Sequence, residues 1–391
     1  MKKFGVITTS RADYGLMVPL LKELKQRECM DYQLFVTGSH LVKKHGYTLK
    51  FIENDGFVIH GLIQSDQLND SENDVCRKIS DQVAGFSKVY VDINIDAIIV
   101  LGDRYELWGA CIAAVVHRIP IIHIHGGELT EGAIDEKIRH SITKMASIHF
   151  PSTDLYRKRI LQMGEQPQNV FAVGAMGIDN IMSLERLSIE SLKDMFPLDY
   201  DKKLILMTYH PVTTMNVNDG KGQVLEILKS LHCDEYFTII TMPNADAGGE
   251  TIHKAIQEYV SDKEECFKFS ESLGQQVYLS LMDIAFCMIG NSSSGIIESA
   301  SFKLPVINIG DRQKGRIRPD NVVDVDCNQN AISDALELVA KKAYRSKLID
   351  LENPYGDGGS AKRITDVLEK IDFSNKQALI GKQFFDIDFT I

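Results

Sequence analysis

The chain has 391 residues and a formal net charge of −11, and this length predicts two domains. The acidic balance argues against a nucleic-acid partner. No apolar run approaches the roughly 20 residues that span a bilayer, and the short N-terminal run fits a first strand better than a signal peptide, so we expect a cytoplasmic protein without membrane contact. The seven cysteines are scattered and form no CxxC pair, which predicts reduced thiols with neither a disulfide nor a zinc cluster.

Apolar runs in the first part of the chain alternate with amphipathic segments. The predicted strands are Phe4–Thr9, Tyr32–Thr37, Phe57–Leu62, Ala97–Leu101, Ile119–Ile124, Ile148–Phe150 and Val170–Val173. The predicted helices are Tyr14–Lys25, Asp74–Asp92, Glu106–His117 and Asp135–Ala146. This alternation predicts a parallel α/β sheet covered by helices on both faces.

The alternation breaks after residue 175 and restarts at 198, which predicts a connecting segment over 176–197 with a helix at Met182–Met195. The strands predicted beyond it are Leu204–Thr208, Phe237–Thr241, Cys266–Phe269, Ile284–Ile289, Pro305–Ile309 and Val322–Val325. The helices predicted there are Val224–Leu231, Glu250–Val260, Ile296–Phe302 and Ile332–Lys342. We therefore predict two doubly wound domains, 1–175 and 198–360, and expect a C-terminal helix within 361–391 to pack on the first. Tandem domains of this kind predict an interdomain active-site cleft lined by strand carboxyl ends.

Polar side chains follow two buried strands of the predicted first domain. Those after Ala97–Leu101 and Ile119–Ile124 are Asp103, Arg104, His123, His125, Glu128, Asp135 and Arg139. Ligands of open α/β sheets bind beyond the carboxyl ends of strands. Acids, imidazoles and arginines are therefore predicted to converge around a small polar ligand, in a pattern typical of acid–base chemistry.

A metal site is the competing interpretation of this cluster. His123, His125, Glu128 and Asp135 are all ligand types, and two histidines at i and i+2 share one side of a strand. No HExxH or comparable helical pair accompanies them. We therefore expect no metal.

The segment Thr8–Gly15 follows the first strand, where a nucleotide fingerprint would stand, but it is not GxGxxG. Arg11 at this turn suits a diphosphate or a sugar acid. The alternative is that Ser10 caps the helix and Arg11 pairs with Asp13. His40, after the second strand, is a weak signal alone.

The segment Gly290–Gly295 is GNSSSG, follows an apolar strand and opens a helix. Small residues allow close backbone approach, and amide and serine groups can hold phosphate oxygens. Glu298 is then in reach of a ribose; the alternative is a helix cap with its capping-box partner. His210, held before Pro211 at a strand end, and Asp311–Arg316 are expected at the same rim, with a structural histidine and a solvated charge run as the alternatives.

Together these motifs resemble the hydrolysing UDP-N-acetylglucosamine 2-epimerases of bacterial sialic-acid and legionaminic-acid synthesis. The resemblance covers most of the chain. The motifs that carry it are Ser10–Tyr14, Thr37–His40, Gly102–Glu106, His123–Glu128, Asp135–Lys144, His210–Thr213, Gly290–Gly295 and Asp311–Arg316. The resemblance implies two Rossmann-like domains in the GT-B arrangement, no cofactor, and a homodimer or homotetramer.

The resemblance also implies a reaction. UDP leaves C1 of the sugar as the C2 proton is removed, giving a 2-acetamidoglucal, and rehydration then releases N-acetylmannosamine. Carboxylates matching Asp103 and Asp135 are the implied acid–base residues. A third catalytic glutamate of the family is replaced here by His125, so either His125 or Glu128 is expected to take its role.

Further residues are implied to hold the nucleotide sugar: Arg11, His40, Arg104, Arg139, His210, Asn244, Ser292, Ser293, Glu298 and Arg312. Relatives that act on UDP- or GDP-linked 2,4-diacetamido-trideoxy sugars share these motifs, so that substrate class is the alternative. A GT-B glycosyltransferase is the alternative of another class. The acidic and histidine cluster argues against it, because simple transfer does not need that cluster.

Overall fold

The computed structural model describes residues 1–42, 47–66, 71–130, 134–196, 201–211, 217–242, 249–271 and 273–387. The chain divides into two compact units. The first unit is Met1–Glu128, Ile134–Asn180 and Gly358–Ile391, and the second unit is Leu129–Ala133 and Ile181–Asp357.

The first unit contains a six-stranded parallel sheet of order β3-β2-β1-β4-β5-β6. Its strands are β1 (Lys2–Thr8), β2 (Met30–Thr37), β3 (Ile59–Ile63), β4 (Ala97–Leu101), β5 (Ile121–Ile124) and β6 (Ile148–Phe150). Its helices are α1 (Arg11–Gln26), α2 (Leu49–Asn54), α3 (Glu72–Asp92), α4 (Tyr105–Val116), α5 (Ile134–Met145), α6 (Asp154–Gln162), α15 (Ser360–Lys370) and α16 (Lys376–Ile380). This strand order is that of a dinucleotide-binding sheet.

The second unit repeats this plan, with a parallel sheet of order β12-β11-β10-β7-β8-β9. Its strands are β7 (Lys203–Thr208), β8 (Tyr236–Thr241), β9 (Phe267–Ser270), β10 (Cys287–Gly290), β11 (Val306–Ile309) and β12 (Val322–Val325). Its helices are α9 (Val217–Lys229), α10 (Gly249–Val260), α11 (Gln275–Ile284), α12 (Ser294–Ile297), α13 (Gln329–Ala340) and α14 (Lys342–Lys347). The predicted class of two doubly wound α/β domains is therefore confirmed.

Strand β4 shows why these apolar runs become central strands. All five of its residues are buried. Ala97, Ile99 and Leu101 pack into one core of the first unit, whereas Ile98 and Val100 pack into the core on the opposite face. A continuous apolar run is what a strand covered by helices on both faces requires. No helix in the described part of the chain is long and apolar enough to cross a lipid bilayer.

Two predicted elements are wrong. The connecting helix Met182–Met195 is two helices, α7 (Met176–Ser183) and α8 (Ile189–Met195). The break is stabilised locally, because Arg186 donates to the carbonyl oxygens at the end of α7 and Ser188 caps α8. Val170–Val173 is not a strand, since only Val170 forms a β-bridge, with His149.

The chain returns to the first unit at its end. Helix α15 packs against α1. The Lys2 Nζ donates to three carbonyl oxygens at the end of α15, and the Arg27 guanidinium bonds to Asp366 and Glu369 on the same helix. Both ends of the sequence are therefore needed to build the first unit.

The expectation of reduced cysteines is wrong for one pair. Cys233 and Cys266 form a disulfide, with Cα atoms 5.2 Å apart. Cys233 precedes β8 and Cys266 precedes β9, and these strands are neighbours in the sheet. The two residues are 33 positions apart in sequence, a spacing that carries no disulfide signal.

Candidate active site

The carboxyl end of β4 is fixed by the neighbouring strand β5. Gly102 has a φ of +85°, which favours glycine. Its N–H donates to the Ile124 carbonyl oxygen at 3.0 Å, and its own carbonyl oxygen accepts from His123 Nε2 at 2.8 Å. Asp103 is therefore placed at the end of the sheet by a backbone held on both sides.

Asp103 forms an ion pair with Arg139 of α5. The arginine side chain is 5% exposed and the aspartate side chain 21%. Arg139 also donates from Nη1 to the Glu128 carbonyl oxygen at 3.0 Å. One buried guanidinium therefore fixes the carboxylate of Asp103 and the loop that follows β5, so Arg139 is a structural partner of the acid–base cluster.

Asp135, in the first turn of α5, is a carboxyl whose proton affinity suits acid–base catalysis. Burial, and then the negative charge of Asp103, raise the pKa of Asp135 to about 6. An acid–base group works best when its pKa lies near the working pH. Asp103 and Asp135 thus form a pair of carboxyl groups with different environments, a pattern typical of assigned acid and base roles.

His125 and Glu128 form a second buried pair. The His125 Nδ1 lies 3.3 Å from Glu128 Oε1, which also accepts from the Ser152 hydroxyl at 3.0 Å. His125 Nε2 accepts the Met176 backbone N–H at 3.1 Å. An acceptor at Nε2 leaves the proton on Nδ1 in the neutral ring, so His125 donates to the Glu128 carboxylate. Both ring nitrogens of His125 are therefore hydrogen-bonded within the protein. Glu128 is the acidic member of the pair.

Arg104 lies beside this cluster and is paired within its own segment. Its guanidinium donates to Glu106 at 3.1 and 2.9 Å. The Glu106 side chain is 3% exposed, whereas that of Arg104 is 39% exposed. Arg104 therefore presents a cation that a buried carboxylate holds in place.

The turn after β1 is a capping box. Ser10 caps α1, and the buried Asp13 carboxylate accepts from Thr8 Oγ1 and from the Thr9 and Ser10 amides. Asp13 is thus satisfied without Arg11. Arg11 is exposed and its guanidinium lies 4.2 Å from the centre of the Phe51 ring.

His40 lies beneath that turn. It is wholly buried, with Nε2 3.0 Å from Thr8 Oγ1 and Nδ1 2.7 Å from Thr48 Oγ1. Burial lowers its pKa. The structure therefore places His40 in the packing beneath the turn, with both nitrogens bonded to protein.

In the second unit the serine-rich loop begins at a glycine that no other residue can replace without strain. Gly290 has a φ of +134°, and a Cβ there would collide with the Thr208 carbonyl oxygen. The following Asn291 amide braces the His210 backbone, accepting its N–H at 2.7 Å and donating to its carbonyl oxygen at 2.9 Å. The ends of β7 and β10 are thus joined.

One arginine and two serines lie next to the hydrogen bonds between Asn291 and His210. Arg312 donates from Nη1 to the Asn291 carbonyl oxygen at 3.1 Å. Burial and the charge of Arg312 lower the pKa of His210 to about 3, so His210 is neutral. Ser292 and Ser293 follow on the loop, and both are partly exposed. The arrangement offers hydroxyl donors beside a guanidinium, which suits phosphate oxygens.

Glu298 follows α12, which is shorter than predicted: the helix ends at Ile297 and a 3₁₀ turn covers Ser299–Phe302. Burial raises the pKa of Glu298 to about 7. The residue as a whole is partly exposed. Asn244 lies outside the described residues.

The described residues do not assemble the metal site considered from the sequence. Among them, the one group of three His, Cys, Asp or Glu side chains with mutually close ligand atoms is Cys233, Glu265 and Cys266. These residues precede β8 and β9, at the amino ends of those strands.

Comparison with known proteins identifies the family of this chain. The family model for UDP-N-acetylglucosamine 2-epimerase matches residues 22–369. The chain belongs to this family. A UDP-N,N'-diacetylbacillosamine 2-epimerase (hydrolyzing) of Legionella pneumophila is 37% identical over 95% of this chain and 96% of the relative. A GDP/UDP-N,N'-diacetylbacillosamine 2-epimerase (hydrolyzing) of Campylobacter jejuni is 39% identical over 88% of this chain and 89% of the relative.

Solved structures agree in fold. The UDP-GlcNAc 2-epimerase of Neisseria meningitidis, crystallised with UDP-GlcNAc, superimposes with a TM-score of 0.81 at 21% identity, covering 95% of this chain and 100% of that one. The Methanocaldococcus jannaschii enzyme, in complex with UDP-GlcNAc and UDP, gives a TM-score of 0.76 at 18% identity, covering 94% and 99%. The backbone fold of this chain is thus the same as that of these solved structures.

Proposed function

We propose that this protein is a hydrolysing 2-epimerase of a UDP-linked 2-acetamido sugar, with UDP-N,N'-diacetylbacillosamine as its substrate. The observation that carries this choice is the identity of 37% and 39% to two diacetylbacillosamine 2-epimerases. A UDP-N-acetylglucosamine 2-epimerase of Neisseria meningitidis is 30% identical over 99% of the chain, so UDP-GlcNAc is the second candidate substrate, which would place the enzyme in sialic-acid synthesis.

The first chemical step is an elimination. A carboxylate takes the proton from C2, the electrons of that bond form a C1–C2 double bond, and UDP leaves C1 with the pair of the C1–O bond. Asp135, with its pKa near 6, suits a group that accepts and returns a proton. The Asp103–Arg139 ion pair keeps a second carboxylate fixed beside it.

The second step is a hydration. Water adds its hydroxyl to C1 of the glucal and a proton returns to C2 on the opposite face, which inverts that centre. This step needs a third group that handles the water proton. Glu128, whose carboxylate contacts His125 and Ser152, is the group that we assign to this role. We therefore assign catalysis to Asp103, Asp135 and Glu128 and a positioning role to His125.

The nucleotide is assigned to the cations and the serine loop. Ser292, Ser293 and Arg312 offer donors to the diphosphate, Glu298 offers acceptors to the ribose hydroxyls, and the neutral His210 completes this rim. Arg11, Arg104 and Asn244 keep their assignment from the resemblance alone.

The test is a comparison of substrates without any acceptor. The purified protein is incubated with UDP-N,N'-diacetylbacillosamine, its GDP analogue or UDP-GlcNAc, and the released nucleotide and sugar are followed by NMR in deuterated water. We expect the highest kcat/KM for the UDP-diacetamido sugar, with the 2-epimer released and deuterium at C2. Higher kcat/KM for UDP-GlcNAc would move the substrate to the second candidate. Absence of nucleotide release without an acceptor would contradict hydrolysis and favour a transferase.

A further inference from the structure

His123 is a buried polar residue that the proposed chemistry does not use. It lies on β5, two residues before His125, and is fully buried. Its Nε2 lies 2.8 Å from the Gly102 carbonyl oxygen and its Nδ1 lies 3.2 Å from Thr143 Oγ1. A histidine with both nitrogens bonded inside a core is normally structural, so the question is what its bonds hold in place.

The protonation state of His123 follows from its partners. A carbonyl oxygen only accepts, so the ring proton is on Nε2. Burial lowers the pKa of His123 to about 3, which leaves Nδ1 as an acceptor. The one proton of the Thr143 hydroxyl is shared between this nitrogen, 3.2 Å away, and the Arg139 carbonyl oxygen, 2.9 Å away. The neighbouring Gly126 fits closely, since a Cβ there would lie 3.0 Å from both His123 Nδ1 and Thr143 Oγ1.

These bonds close a ring of five residues. His123 holds the Gly102 carbonyl oxygen, and Gly102 is bonded to Asp103 through that same peptide unit. Asp103 pairs with Arg139, and the Thr143 hydroxyl, one helical turn further along α5, lies 2.9 Å from the Arg139 carbonyl oxygen and contacts His123. We call this the β5–α5 ring.

We infer that His123 is a positioning residue for the Asp103 carboxylate, acting through the Gly102 carbonyl oxygen. The inference rests on the proposed function, because Asp103 is assigned there to the acid–base chemistry. The Gly102 backbone has two supports. Its N–H, in the preceding peptide unit, donates to the Ile124 carbonyl oxygen, and its carbonyl oxygen, in the peptide unit that leads into Asp103, accepts from the His123 N–H. Without the second support the peptide plane that leads into Asp103 is free to turn. A displacement of about 1 Å in a reacting group costs about 100-fold in rate.

The substitutions His123→Met and His123→Gln separate positioning from packing. Methionine fills the space without a donor, whereas the glutamine amide nitrogen reaches the place of Nε2 and restores the bond to Gly102. We expect His123→Met to lower kcat about 100-fold, with the KM and the Kd for UDP within about threefold of wild type. We expect His123→Gln to recover at least tenfold of that loss. The same pair of changes at His117, a half-buried histidine that bonds to Ser87, serves as the control.

Equal kcat for the two His123 variants would overturn the inference, as would a kcat of His123→Met within twofold of wild type. If His123→Met does not fold, the substitution Thr143→Val tests the inference instead. Loss of the hydroxyl removes the bond to Nδ1 and is expected to lower kcat several-fold at unchanged Kd for UDP, and an unchanged kcat would contradict the ring. Wild-type protein that releases no nucleotide would contradict the proposed function instead. In that case ¹⁵N spectra of histidine-labelled protein still test the ring, since they must show His123 protonated on Nε2.

Discussion

The carboxyl ends of the two sheets carry different kinds of side chains, although the two sheets have the same strand order. At the end of β4 and β5, acidic side chains are held in pairs with arginines or a histidine: Asp103 with Arg139, Arg104 with Glu106 and His125 with Glu128. At the end of β7 and β10, a glycine, an asparagine brace and serines form a loop with few charges. The first arrangement fixes proton donors and acceptors, and the second offers hydroxyl and amide donors to a ligand. The proposed function thus assigns the chemistry to one unit and nucleotide binding to the other, on sheets of the same strand order whose loops differ.

The largest expected effect is on turnover, from Asp103→Asn in the first unit. General acid–base groups contribute roughly 100- to 10,000-fold, so we expect kcat to fall about 1,000-fold while UDP still binds. The change also leaves Arg139 without its charge partner, and we expect about 3 kcal/mol of lost folding free energy. Asp366→Asn, which removes a partly exposed partner of Arg27, is the matched control. Retained turnover in the Asp103 variant would remove its assigned role.

Asp135→Asn, also in the first unit, is expected to lower activity and to raise stability. We expect kcat to fall about 100-fold. In the wild type, kcat/KM should fall as the pH drops through about 6, because Asp135 must be ionised to take the C2 proton. A profile that stays flat between pH 5 and pH 7 would be inconsistent with Asp135 as the base.

The stability of the Asp135 variant should move the other way. The folded-state pKa of Asp135 is raised above its unfolded value, so the native state binds more protons and wild-type stability falls as the pH rises from about 4 to about 6. Asparagine removes this cost. We expect Asp135→Asn to be more stable than wild type at pH 8 and equally stable near pH 4, as measured by urea unfolding. A variant less stable than wild type at pH 8 would show that the Asp135 charge is not destabilising.

In the second unit, Gly290→Ala should damage binding and leave the chemical groups intact. The positive φ and the collision with the Thr208 carbonyl oxygen force the loop to move, at a cost of about 2 kcal/mol. We expect the Kd for UDP to rise roughly 30-fold. Gly222→Ala, where an added Cβ meets nothing within 4 Å, is the control. Equal UDP affinity in the two variants would show that the loop geometry does not matter to the nucleotide.

The smallest expected effect comes from Glu298→Gln. If the carboxylate accepts the ribose hydroxyls, its loss should raise the Kd for UDP about tenfold and leave kcat at saturating substrate unchanged. With a pKa of about 7, the wild type should also bind UDP more weakly as the pH falls below 7, and the variant should not. Glu337→Gln, an exposed change on α13, is the control. A pH dependence that persists in Glu298→Gln would assign it to another group.

Patterns within one segment predict much of this molecule. The continuous apolar runs gave the strand limits of Ala97–Leu101, Ile148–Phe150 and Val322–Val325 as the structure has them. The sequence predicts Asp103 as a site residue because it stands just after the run Ala97–Leu101, and these folds bind ligands at strand ends.

The rest depends on contacts between distant residues. The protonation of His125 is set by the Met176 backbone N–H, 51 residues away, and no periodicity signals that bond. His40 stands in a motif that predicts a substrate-binding role, yet it is buried and bonded to Thr8 and Thr48. The Cys233–Cys266 pair similarly follows from the adjacency of two strands. In each case the residue type was visible in the sequence and its partner was not.

The return of the chain end to the first unit has a consequence for the order in which the protein is made. The second unit is nearly continuous in sequence, over Ile181–Asp357. The first unit needs Ser360–Lys370, whose carbonyl oxygens and carboxylates bind Lys2 and Arg27. During synthesis, which proceeds from the N-terminus, the first unit therefore begins first and is completed last. A nascent chain that has emerged from the ribosome as far as residue 357 would carry the whole second unit and a first unit whose α1 still lacks its covering helix.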